Sequence, residues 1–211
     1  MVAMDKKELI TLGIIFAMFV TAFLLVQGMP DKIPTHWNAQ GDIDGYGSRE
    51  TIFLMPIVAL GVYVMFLVIP KIAVKKKNVL EFYGKHGFSF KLAMVLFFAA
   101  MHAIITWSAL ENPVDMKLTM PFLIGGLFVY IGYILPDIKR NYFIGIRTPW
   151  ALADEKNWQK THRFGGKLFM LLGIASIAFA VVGMSLMWWV GLTLLAVAAM
   201  FYYSYREFKG A

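Results

Sequence analysis

Long unbroken apolar runs alternate with short polar stretches along the chain, and six runs are long enough to cross a lipid bilayer. They fall at about Leu9–Val26, Thr51–Ile69, Leu92–Leu110, Leu118–Leu135, Leu168–Met184 and Met187–Tyr203. A helix needs roughly 20 mostly apolar residues to span the hydrocarbon. Backbone groups in lipid must be paired within the segment, and these runs are too long and too uniform for barrel strands, so helices are predicted. The last two runs are joined only by Ser185 and Leu186, which predicts a tight helical hairpin. The expected fold is all-α, a polytopic membrane bundle of about six transmembrane helices forming one transmembrane domain over residues 1–211. Its polar parts are an outer loop at 28–50 and two inner loops at 70–91 and 136–167.

Composition supports lipid as the main solvent. The chain is 59% hydrophobic and 16% charged, where a soluble domain carries about 25% charged residues. The first run follows a charged start (Asp5, Lys6, Lys7, Glu8) and lacks a small-x-small cleavage site. It exceeds the roughly 7–15 residues of a signal-peptide core, so it is expected to stay as the first helix. With no Cys in the sequence, disulfide frameworks, thiolate zinc sites and cysteine nucleophiles are excluded.

Charge then sets the sidedness. Seventeen of the twenty Lys and Arg fall on one side of the predicted spans, and only Lys32, Arg49 and Lys117 on the other. Acidic residues divide seven to six, as expected of a rule that counts cations alone. Both termini are therefore expected in the cytoplasm. The net charge of +7 is topological, and direct nucleic-acid binding is not expected. Pro70 and Pro136 are read as stopping helices two and four, and Pro56 as bending helix two. Gly125 with Gly126 is expected to permit close helix approach.

The two inner connections share a pattern. Each reads P-x-I, a loop, then H-x-F-x-x-K-L opening the next helix, first from Pro70 to Leu92 and again from Pro136 to Leu168. Two readings stay open: a parallel duplication of helices two and three as four and five, or recurrence imposed by topology.

The outer loop is stiffened by Pro30 and Pro34, and Gly41, Gly45 and Gly47 permit tight turns there. With Trp37, His36, Tyr46 and Ile43 it is too aromatic for a linker, and it is expected to fold onto the helix ends. Gln40-x-Asp42-x-Asp44-Gly45 followed by Glu50 approaches a calcium-loop pattern. It begins with Gln instead of Asp and places Glu50 one residue early, so turn formation is the preferred reading and no metal site or cofactor is assigned.

The inner loop after helix four is the richest segment. Thr148-Pro149 reads as a helix cap with Pro at the first helical position. Asp154 and Glu155 favour the start of a following helical segment, and Lys160, His162 and Arg163 its end. Trp150, Trp158 and Phe164 are expected to anchor it at the headgroups. Arg147, Trp158, His162 and Arg163 then make either a docking site for a partner or lipid phosphate, or a plain interfacial helix. No nucleophile elbow, H-E-x-x-H, P-loop or G-x-G-x-x-G stands in a suitable context, so no enzyme is expected. His102 lies at membrane depth without a carboxylate beside it in the spans, and it is expected to be neutral, bonded to a carbonyl or a neighbouring Thr.

Together the two loops resemble the SdpI family of membrane proteins. The outer segment from Pro30 to Tyr46 follows P-x-x-I-P-x-H-x-N-x-x-G-x-x-D-G-Y, and the inner one reads G-x-R-T-P-W from Gly145, then W-x-x-T-H-R-x-x-G from Trp158. Ala153 departs from the family, which usually offers a capping Ser there, and Asp154 is the expected substitute. The resemblance implies an immunity and signalling role at the plasma membrane. A secreted toxic, antimicrobial peptide would meet Pro34, His36, Asn38, Gly41, Asp44 and Gly45. A small winged-helix repressor would dock inside at Arg147, Thr148, Pro149, Trp150, Trp158, Thr161, His162 and Arg163. The alternative reading is a transporter of small solutes or lipids.

Overall fold

The computed structural model describes residues 6–210, so Asp5 lies outside the described residues. The helices are α1 (Lys6–Leu25), α2 (Leu54–Ile72), α3 (Lys76–Phe82), α4 (Phe88–Ala109), α5 (Met116–Ile134), α6 (Pro149–Ala153), α7 (Glu155–Val181) and α8 (Leu186–Lys209). Between α1 and α2 stand two strands, β1 (Lys32–Trp37) and β2 (Ile43–Ser48). Among the described residues six helical stretches are long and apolar enough to cross a membrane: Lys6–Gly28, Arg49–Ile72, Lys76–Ala109, Met116–Asp137, Glu155–Val181 and Met187–Lys209. The six-span, all-α polytopic architecture read from the apolar runs is borne out, and the chain is a multi-pass membrane protein.

Contacts divide the chain into two compact units. The first runs through Leu67 and resumes over Gly87–Thr119, and the second comprises Val68–His86 and Met120–Ala211. In the first, α1 packs along α4. Ile15 and Met18 of α1 meet Ala59 and Tyr63 of α2 and Val95 of α4 in one apolar cluster. A second cluster, from Ala22, Val26, Met29, Ile33, Ile52, Ile105 and Ala109, seats the start of β1 on the ends of α1 and α4.

This unit also buries charge. Lys91 is 5% exposed, and its ammonium donates to both carboxylate oxygens of Glu8. The Tyr63 hydroxyl donates to the same carboxylate at 3.0 Å, and Lys91 lies 4.9 Å from the Tyr63 ring centre. A buried ammonium without such a partner costs several kcal/mol, so pair and phenol stand or fall together. Deeper in, Thr21 of α1 places its hydroxyl 3.0 Å from Nε2 of His102, one of the two kinds of partner expected for it. That hydroxyl also lies within bonding distance of the Ala17 and Met18 carbonyls.

In the second unit α5 and α7 meet backbone to backbone. A Cβ on Gly125 would sit 2.7 Å from the Gly173 carbonyl, and one on Gly132 would sit 2.6 Å from that of Gly166. Only glycine allows such an approach. Gly126, expected to share this role, has nothing within 4 Å of where its Cβ would be. Phe128 packs on Phe169 and Trp189, and the Trp189 indole donates to the Leu172 carbonyl at 3.1 Å, joining α7 to α8.

Several local expectations change. Pro56 falls in the first turn of α2, directly after a 3-10 turn over Arg49–Phe53. Pro70 lies inside the last turn, and α2 continues to Ile72. The segment expected to lie at the headgroups is continuous with the fifth span, because α7 runs unbroken from Glu155 to Val181. The outer loop contains a strand pair where turns alone were expected.

Candidate functional site

Two folded segments hold the residues singled out in the sequence, one in each unit. In the first unit, β1 and β2 form an antiparallel hairpin that pairs Lys32 with Ser48, Ile33 with Gly47, Pro34 with Tyr46, His36 with Gly45 and Trp37 with Ile43. Thr35 and Asp44 fall outside this register as bulges, which twist the pair locally. Asn38 builds the turn. Its side-chain oxygen accepts from the backbone N–H groups of Gln40 and Asp42, each at 2.9 Å, while Gly41 takes a φ of +79°. The spacing H-x-N-x-x-G-x-x-D-G is therefore a folding code. The Asx turn needs Asn38, the left-handed turn position needs Gly41, and a Cβ on Gly45 would sit 2.8 Å from that of His36.

The displaced Asp44 meets His36 across the hairpin, its Oδ1 2.5 Å from Nδ1, with the two side chains 43% and 70% exposed. This fixes the imidazole while leaving it open to solvent. Pro34 is buried at the base, so of the six outer residues predicted only His36 and Asp44 present exposed side chains. Arg49 bridges Asp31 at 3.6 Å and Glu50 at 3.7 Å.

The second unit carries the other signature, and most of it points inward. Thr148 caps α6, accepting from the Ala151 N–H at 3.1 Å, and Asp154 caps α7, accepting from Asn157 N–H at 2.5 Å. Both caps are those the sequence offered. Asn157 bridges the base of α7 to α8. Its amide donates to the Ser204 carbonyl at 2.7 Å, and its oxygen accepts from the hydroxyls of Ser204 (2.9 Å) and Thr161 (3.0 Å). Ser204 in turn lies 2.6 Å from Thr148 Oγ1, so cap, helix start and helix end form one buried network.

A second buried group sits beside it. Trp158 is 0% exposed, and its indole donates to the Ile138 carbonyl at 2.6 Å. Its ring stacks on His162 at 4.1 Å between centres. His162 Nε2 accepts from the Ile146 N–H at 3.0 Å, so the ring proton sits on Nδ1, which donates to the Trp158 carbonyl at 2.8 Å. Gly145 takes a φ of +110°, and a Cβ there would run into His162 Nε2. The loop over residues 141–146 is thus folded around one imidazole. Trp158, expected as a headgroup anchor, is a core residue. Phe164 stacks on Tyr203 and Trp150 meets Tyr205 edge-on, both against α8.

What remains accessible is smaller than the motif. Arg147, Pro149 and Arg163 are exposed and Trp150 is half-buried, whereas Thr148, Trp158, Thr161 and His162 are buried. The Arg147 guanidinium donates to the Tyr142 carbonyl at 2.8 Å, which holds it over the loop. Sequence reasoning missed the supports. Arg140 donates to the carbonyls of Leu152 (3.3 Å) and Ala153 (2.9 Å) at the end of α6, and Asn141 folds the following turn on its own side chain. Asp137 accepts from Lys85 at 2.8 Å and lies 2.8 Å from His86 Nε2, tying the turn after α3 to the end of α5. Asn157 and Ser204 lie outside the motif positions, and nothing in their spacing announces a bond across 47 residues.

Comparison with known proteins agrees with the reading of the two loops. The SdpI/YfhL protein family matches residues 137–205, and a domain of unknown function, DUF1648, matches residues 13–60. The chain is 27% identical over 207 residues to Immunity protein SdpI of Bacillus subtilis (strain 168), covering 97% of each chain. No solved structure matches. The resemblance to the SdpI family is borne out.

Proposed function

We propose, from this SdpI/YfhL-family chain's likeness to an immunity protein along nearly its whole length, that it protects the cell against a secreted toxic peptide. The single observation that carries the reading is the 97% mutual coverage, which leaves neither folded segment out. The hairpin, on the side that the Lys and Arg asymmetry assigns to the exterior, is the receiving surface, with His36 and Asp44 exposed on it. The loop around Arg147, on the side assigned to the cytoplasm, exposes Arg147 and Pro149 and half-exposes Trp150, and α7 exposes Arg163. A winged-helix repressor is the partner proposed for that surface.

Growth in the presence of extracted toxic peptide tests the reading. Cells carrying the intact chain should survive doses that kill cells without it. His36→Ala should lower the tolerated dose several-fold while leaving the amount in the membrane unchanged. Arg147→Ala should spare protection but reduce the membrane-bound fraction of the repressor. Equal killing with and without the intact chain ends the immunity reading.

A further inference from the structure

We infer that the outer edge of β2 is a docking strand for an extended peptide that is cationic and apolar, which adds to the hairpin as a third strand. This rests on the immunity reading above and names how the peptide would be held.

The two edges of the hairpin are not alike. β1 packs against α4, buries Ile33 and Pro34, and carries Lys32 and Pro34, both of which discourage strand addition. β2 has neither Lys nor Pro, and past its bulge at Asp44 the residues Gly45–Ser48 alternate between half-exposed and exposed. Among the described residues no further strand pairs with it, since the sheet has two strands only. An edge strand left this way presents outward N–H and C=O groups that template another strand. Soluble domains normally blunt such an edge, and peptide-binding domains use one. The four residues past the bulge, at about 3.4 Å each, give a regular rail of about 14 Å.

Charge and apolar surface set the guest. Tyr46 is 59% exposed and Ile43 37% exposed, so apolar side chains of a guest find contacts on the rail. Asp42, Asp44 and Glu50 are exposed at or beside it, and Arg49 is half-buried against Asp31 and Glu50. On the side assigned to the exterior six carboxylates face three cations, all within the first unit. An incoming strand that carries Lys or Arg is favoured there, and one that carries carboxylates is repelled.

The test uses the full chain in phosphatidylcholine nanodiscs, whose surface has no net charge. The probe is a ten-residue peptide of alternating Val and Lys. Its controls are the Val–Glu counterpart and a Val–Lys peptide N-methylated at every second residue, which cannot complete a ladder. The Val–Lys peptide should bind at least tenfold more tightly than either control and slow amide exchange in residues 43–48 at least tenfold. Asp42→Lys and Tyr46→Lys, both at exposed positions, should each weaken binding severalfold. No binding, equal binding of the N-methylated peptide, or protection confined outside β2 overturns the inference. A chain that protects cells yet fails this test sinks the docking strand alone. One that binds the peptide yet gives no protection sinks the immunity reading instead.

Discussion

At the scale of single residues, the inner signature divides into side chains that face water and side chains that hold the loop together, and Asn157 is the clearest of the second kind. It satisfies a backbone carbonyl and two hydroxyls that are otherwise sealed from solvent. Each buried polar group left without a partner costs about 1–3 kcal/mol. Asn157→Leu, which fills the space but cannot bond, is therefore expected to lose about 3 kcal/mol. Thermal unfolding in detergent should show a clear drop in midpoint. Arg163→Ala, at an exposed position, should stay within about 0.5 kcal/mol of the parent. If the two variants melted together, the network would carry no weight in holding α7 to α8. His162 and Trp158 are prominent in the sequence because such residues stand out against apolar helices, yet their use is internal. Asn157 and Ser204 are ordinary residues in helical stretches, and only the folded backbone brings them together.

At the scale of elements, what was legible depended on how strong the local period was. Six apolar runs set the helices without ambiguity, because no other secondary structure pairs the backbone of an isolated run in lipid. The strands of the hairpin were hidden. Bulges at Thr35 and Asp44 break the two-residue alternation that would have announced them, and Pro34 within β1 argues against a strand on its face. The amphipathic start of α7 reads as a separate helix because Gly165-Gly166 stands where its polar residues end and the apolar run begins, yet the helix continues through both glycines. Glycines show the same limit. Gly125 and Gly126 are neighbours of equal standing in the sequence, but only Gly125 meets a backbone, the carbonyl of Gly173. Gly125→Val should force α5 and α7 apart and lower the detergent melting temperature by several degrees, whereas Gly126→Ala should be neutral or slightly stabilising. A Gly125→Val variant as stable as the parent would show that the close approach does not hold these helices together.

At the scale of the whole molecule, the functional reading needs the hairpin and the Arg147 loop to lie on opposite faces of the membrane. That sidedness was legible only through the distribution of Lys and Arg, since acidic residues divide almost evenly and carry no orientation signal. The absence of Cys makes the point directly measurable. A single thiol can be placed at Asp42, exposed at the tip of the hairpin, or at Lys156, in the first turn of α7. Neither position carries a side-chain contact in the two buried networks. In intact cells a membrane-impermeant maleimide should label Asp42→Cys to completion and leave Lys156→Cys unlabelled, and permeabilised cells should label both. The cost of the opposite orientation explains why a sharp result is expected. Seventeen cations cluster on one side, among them the run Lys75–Lys77. Inverting the chain would require all of them to be translocated, which the positive-inside rule disfavours. Labelling of both positions from outside would place receiver and platform on one face. A peptide bound at β2 would then have no barrier to signal across, and the reading as a two-sided immunity protein would fail while the fold stood.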